Sequence, residues 1–80
     1  MVDVRFFEVG SRMQTTMRFL EDKPLGPLLN QYCDRYELDR RHMSFQVRAE
    51  EIEEQETWVE LRKRHDDVQD LEIEVEHRNA

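Results

Sequence analysis

The sequence predicts an α+β domain, a mixed sheet covered on one face by one main helix, with a short second helix before the last strand. Three observations carry this. Apolar residues alternate with polar ones at the start, in the middle and near the end of the chain, which is the period of a half-buried strand. Between the first and second of these regions the apolar spacing changes to three and four, the period of a helix with one buried face. No internal repeat or linker interrupts the 80 residues.

In the opening "MVDVRFFEVGSR", Val2, Val4 and Phe6 alternate with Asp3, Arg5 and Phe7. Gly10-Ser11 marks a turn, and "MQTTMRFL" then sets Met13, Thr15, Met17 and Phe19 against Gln14, Thr16 and Arg18. The pair reads as a hairpin turning between Glu8 and Arg12. Asp22-Lys23-Pro24 signals a helix start, because proline needs no N–H partner in a first turn. Leu25, Leu28, Leu29, Tyr32, Cys33 and Tyr36 form the helical stripe, with Asn30, Gln31, Asp34 and Arg35 opposite. Pro27 makes the start irregular if the helix already runs from Pro24.

"HMSFQVRA" returns to alternation, with Met43, Phe45 and Val47 on one side. Ile52 is the single apolar anchor of the acidic "EEIEEQE". Thr57 followed by Glu60 is a capping-box pattern and predicts a short helix over 57–64. In "LEIEVEH", Leu71, Ile73 and Val75 alternate with Glu72, Glu74 and Glu76. The order ββαβαβ fits a β-grasp arrangement, with the first and last strands parallel in the middle of the sheet and the second strand at an edge.

Eighty residues suffice for a single domain, 1–80. A chain this short buries about 60% of its unfolded surface, which leaves little room for a deep pocket beside the core. The net charge of −7 disfavours nucleic acid and anionic membranes as partners. No apolar run approaches the roughly 20 residues of a membrane span. No signal peptide opens the chain, and the lone Cys33 cannot form an internal disulfide, so nucleus or cytoplasm is expected.

Cys33 could react, bind a metal or fill space. A nucleophile needs a lowered pKa and usually a histidine partner. His42, His65 and His77 lie in expected loops or near the chain end, with no Cys-His or Ser-His-Asp pattern. Metal ligands come in clusters such as Cys-x-x-Cys, and none is present. Cys33 on the apolar stripe therefore reads as a small hydrophobe. No enzyme, cofactor or metal is expected. Residues 50–56 read as a solvated acidic loop, or else as a docking patch for a basic partner. "RRH" (40–42) and "RKRH" (62–65) read as surface charges partnered by carboxylates, the alternative being a basic patch for nucleic acid.

The residues also carry a resemblance. "YCDRYEL" resembles the helix-end signature of the small ubiquitin-related modifier (SUMO) family, Tyr-Cys-x-Arg followed by Gly and an aliphatic residue. "KPLGPLLNQYC" is similar to the helix of that family, "MSFQVRAEEI" to its third strand and following turn, "TWVEL" to its short helix and "DLEIEV" to its last strand. The resemblance runs from Val2 to Val75. Conjugated SUMO ends in Gly-Gly, whereas this sequence ends "EHRNA", and Ala49 stands where the family has glycine. The closer comparison is with SUMO-like domains of larger proteins that dock partners without being conjugated.

The resemblance implies two surfaces. One is a peptide groove, where a hydrophobic-acidic peptide adds a strand beside the second strand, over the start of the helix. Its positions here are Met17, Arg18, Phe19, Leu20, Pro27, Leu28, Gln31, Tyr32 and Arg35. Leu20 and Pro27 stand where the family has lysine, so the groove loses charge and gains apolar character. The plainer reading is that Met17, Phe19, Leu28 and Tyr32 belong to the core. The second surface would face a SUMO-conjugating enzyme, with Arg48, Glu50, Asp66, Asp67 and Glu72. Arg48 reverses an acidic position of the family, a cost in a charge-matched interface.

The expectation is a non-conjugated, non-enzymatic interaction module, monomeric, whose partners are SUMO-pathway proteins or hydrophobic-acidic peptides. Two alternatives stand beside it: a covalent modifier whose Gly-Gly lies beyond Ala80, and a weak nucleic-acid-binding domain. Exposure of Phe7, Leu20 or Trp58 would add an apolar patch favouring self-association.

Overall fold

The computed structural model describes residues 1–67 and 71–78. Asp70 of "DLEIEV" and the last two residues of "EHRNA" lie outside them. The strands are β1 (Val2–Glu8), β2 (Gln14–Phe19), β3 (Met43–Val47), β4 (Glu50–Glu51) and β5 (Glu72–His77). The helices are α1 (Gly26–Arg35) and α2 (Trp58–Arg64), with a 3₁₀ turn at Arg40–His42. The sheet order is β2-β1-β5-β3-β4. β1 and β5 are parallel at its centre and the other pairs are antiparallel, which is the β-grasp arrangement.

Core and alternation agree. Val4 and Phe6 of β1, Phe45 and Val47 of β3, and Ile73 and Val75 of β5 are buried against Leu28, Leu29, Tyr32 and Cys33 of α1. Phe6 stacks on Tyr32 at 4.6 Å between centroids, and Phe45 meets both rings edge-on at 6.2 and 5.8 Å. Such pairs contribute about 0.5–1.5 kcal/mol each beyond the area they bury. Trp58 is buried and Phe7 half-buried, so of the three residues in question only Leu20 is exposed.

Two elements depart from the expectation. The helix starts at Gly26, not at Pro24. Its first free N–H groups are met from far along the chain: Leu25 N donates to Glu56 O at 2.9 Å and Gly26 N to Glu54 O at 2.8 Å. Pro24 instead bridges to Thr57. A Cβ on Gly26 would lie 3.2 Å from the Glu54 Cβ, so the close approach of this loop favours glycine. Pro27 then sits in the first turn, where it costs no hydrogen bond.

The second departure is β4. Val47 pairs with Glu50 across Arg48 and Ala49, both at positive φ (50° and 69°). That is the two-residue turn for which hairpins ordinarily use Asn-Gly. Ile52 N donates to Phe45 O at 2.9 Å and seats Ile52 in the core. The N-cap half of the capping box forms, Glu60 N donating to Thr57 Oγ1 at 3.1 Å, while the Glu60 carboxylate accepts from the Thr57 hydroxyl at 3.1 Å.

Candidate protein-docking edge

Among the described residues β2 has a strand partner on one side only. The Glu8 N–H donates to Met13 O at 3.2 Å, and Glu8 and Met13 are opposite one another in the continuing register. Antiparallel ladders alternate bonded and non-bonded pairs. Thr15, Met17 and Phe19 therefore bond to β1, and the backbone groups of Gln14, Thr16 and Arg18 point outward. Among the described residues, no backbone hydrogen bond outside the β1 ladder meets them. The far edge is different: β4 has two residues, both exposed glutamates, behind a tight turn. Short, charged strands of this kind blunt an edge.

The nine groove positions divide by depth. Leu28 and Tyr32 are interior, 0% and 2% exposed, and belong to the core. Met17 and Phe19 are half-buried and packed against the core. Arg18, Leu20, Pro27, Gln31 and Arg35 are exposed. Arg18 lies 3.5 Å from Asp3 on β1, and the Arg35 guanidinium sits 5.7 Å from the Tyr36 ring centroid. The Thr15 and Tyr36 hydroxyls, 2.6 Å apart, clasp the end of α1 to β2. Neither Thr15 nor Tyr36 stood out for this role in the sequence, because strand and helix register had first to bring them together. Nor did Gln14 and Thr16, whose part comes from the ladder phase.

The second face is partly assembled. Arg48, Glu50, Asp66 and Asp67 are exposed and Glu72 is half-buried. Glu50 reaches Arg64 at 3.4 Å and buried His65 at 3.8 Å, which ties the β3–β4 hairpin to the end of α2. Asp66 and Asp67 follow directly, both at positive φ (61° and 52°). Glu72 stands apart on the open sheet face, in register with Arg5.

Cys33 is 2% exposed, and burial raises its thiol pKa. The Tyr32 phenol is pushed up to about 12, first by burial and then by the Glu8 charge. Among the described residues no three potential ligands cluster for a metal. Three of the arginines singled out face carboxylates of their own chain: Arg40 with Glu54 at 3.2 Å, Arg41 with Asp39 at 3.0 Å, and Arg64 with Glu56 at 2.6 Å. No helix among the described residues is long and apolar enough to cross a membrane.

No protein-family model and no curated protein matches the chain. Solved structures do. A ubiquitin of Caldiarchaeum subterraneum superposes with a TM-score of 0.77 at 14% identity, covering 98% of this chain and 94% of that one. A de novo design based on ubiquitin gives 0.70 at 10% identity, covering 99% and 90%. A ubiquitin-like protein from Caldiarchaeum subterraneum, a hyperthermophilic archaeon, gives 0.58 at 14% identity, covering 99% of each chain. At such identities the likeness concerns the fold, and the fold of this chain is the ubiquitin-like β-grasp.

Proposed function

We propose that this domain is a non-enzymatic, SUMO-like interaction module of the nucleus or cytoplasm. It docks an extended peptide with an apolar core and an acidic flank along β2. One observation supports this above the others: an unpaired strand edge runs beside half-buried Met17 and Phe19, with Arg35 exposed on α1 and Arg18 exposed on the opposite face of the same strand. The outward N–H and C=O groups of Gln14, Thr16 and Arg18 would supply backbone bonds, Met17 and Phe19 would take apolar side chains, and the two arginines would attract the flank. Leu20, 43% exposed, extends the apolar part, which shifts the preference toward longer hydrophobic segments.

The test is a ¹⁵N titration with such a peptide. Amide shifts at Arg18, Leu20 and Arg35 are expected; shifts confined to other residues would remove the groove from the account. A second reading, docking of a SUMO-conjugating enzyme on Arg48, Glu50, Asp66, Asp67 and Glu72, draws support from the Glu50 contacts to Arg64 and His65. Its check is a Glu50→Lys variant, which should weaken capture of such an enzyme without moving the groove shifts.

A further inference from the structure

The ladder phase of β2 sets which partner strands fit its free edge, and β2 itself is one of them. Gln14, Thr16 and Arg18 all present their backbone groups outward. Two copies of β2 can therefore pair antiparallel about a two-fold axis at Thr16, with Thr16 opposite its own copy and Gln14 opposite Arg18 of the other chain. A two-fold contact must be self-complementary, each residue meeting its counterpart's partner. This register meets that condition without opposing like charges. Sliding it by one bonded pair toward the turn would set Arg18 against Arg12 of the second copy. Centring it on Arg18 would oppose the two Arg18 side chains, a destabilising cross-strand arrangement.

The same register accounts for an exposed apolar side chain. Met13 is 44% exposed at the mouth of the hairpin, on the α1 side of the sheet. With Thr16 on the axis, Met13 lies opposite Phe19 of the second copy, and Thr15 opposite Met17. These are the non-bonded pairs of the ladder, in which side chains come closest. Phe19 and Met17 are half-buried. Methionine sulfur against an aromatic ring is a favourable contact.

We propose that the free β2 edge pairs with β2 of a second copy in this register, forming a transient dimer that masks the peptide groove. The proposal rests on the open edge used in the functional reading, and it makes self-pairing and peptide docking mutually exclusive. A six-residue edge falls below the roughly 1,000 Å² that a stable interface buries, so the dimer forms only at high concentration.

Sedimentation and ¹⁵N spectra over a micromolar-to-millimolar dilution series test it, with Gln14 as the probe. Gln14 is exposed and makes no side-chain hydrogen bond among the described residues, so its variants retain the fold. Gln14→Glu places a carboxylate opposite Arg18 of the other copy at two symmetric points and should tighten association by up to about fivefold per pair. Gln14→Arg should weaken it to a similar degree, and adding the hydrophobic-acidic peptide should dissociate the wild-type dimer. Association that ignores both Gln14 variants places the contact elsewhere and overturns the proposal. A chain that stays monomeric at millimolar concentration yet binds peptide overturns it too, and leaves the docking reading standing. A chain that self-associates as described but ignores the peptide sinks the docking reading alone.

Discussion

Replacing Glu37 by glycine should stabilise the domain. α1 ends in a Schellman motif. Leu38 N donates to Cys33 O at 2.8 Å, and Glu37 N donates to Asp34 O at 3.3 Å. The motif places Glu37 in the left-handed region, φ 54°. An L-residue there costs about 1–2 kcal/mol, and glycine does not bear that cost. Glu37 also sets a negative charge at the negative end of the helix dipole, worth about 0.3–1 kcal/mol at the surface. Against these gains stands the greater freedom of glycine in the unfolded chain, about 0.5–1 kcal/mol. The balance is a stabilisation of about 1 kcal/mol, which in a domain of this size raises Tm by about 4–8 °C. Thermal unfolding followed by circular dichroism reads it directly. Glu37→Ala separates the contributions, since it removes the charge and keeps the strained φ. If Glu37→Gly proves no more stable than Glu37→Ala, the backbone account of this helix end is wrong.

Ala49→Gly follows the same logic at φ 69° in the β3–β4 turn, and should raise the urea midpoint by the equivalent of about 1 kcal/mol with m unchanged. Thr57→Ala removes the acceptor for Glu60 N and should cost about 1 kcal/mol in the same assay. Tyr32 predicts an alkaline limit. Its phenol rises from the ordinary 10.0 to about 12 in the fold, so the folded state holds its proton more tightly. The stability this contributes is complete below pH 10 and is lost as pH climbs through 12. Tyr32→Phe should flatten that part of the Tm–pH curve.

The sequence made much of this fold legible where apolar spacing is regular and both partners are local. Leu71, Ile73 and Val75 against three glutamates define β5, and the stripe from Leu25 to Cys33 defines the buried face of α1. The start of α1 escaped because its N–H groups bond to the carbonyls of Glu54 and Glu56, about thirty residues away in sequence. β4 escaped because Arg48 and Ala49 take positive φ without the glycine or asparagine that announces such a turn. The site shows the same division. Alternation separates Arg18 from Met17 and Phe19, but it does not say that Tyr32 and Leu28 lie wholly inside. The outward phase of Gln14, Thr16 and Arg18 is a property of pairing, and a single strand's sequence does not contain it.

Cys33 joins these threads, because its reactivity reports whether α1 lies across the sheet as described. The side chain is 2% exposed between helix and strands, and its thiol is raised by burial, with Arg40 the main opposing influence. Thiolate is the reactive form, so both accessibility and ionisation suppress attack in the folded state. Labelling by a disulfide reagent should therefore proceed only through opening of the fold. When reclosing outpaces reaction, the rate follows the population of the open form and hence the stability. A stabilisation of about 1 kcal/mol from Glu37→Gly should then slow Cys33 labelling about fivefold, and Thr57→Ala should speed it by about as much. Under full denaturation all three proteins should label at one rate. Rapid labelling of the native protein, with a rate indifferent to Glu37 and Thr57, would mean that Cys33 faces solvent. The helix would then present a different side to the sheet, and the groove between β2 and α1 would not have the form assigned to it.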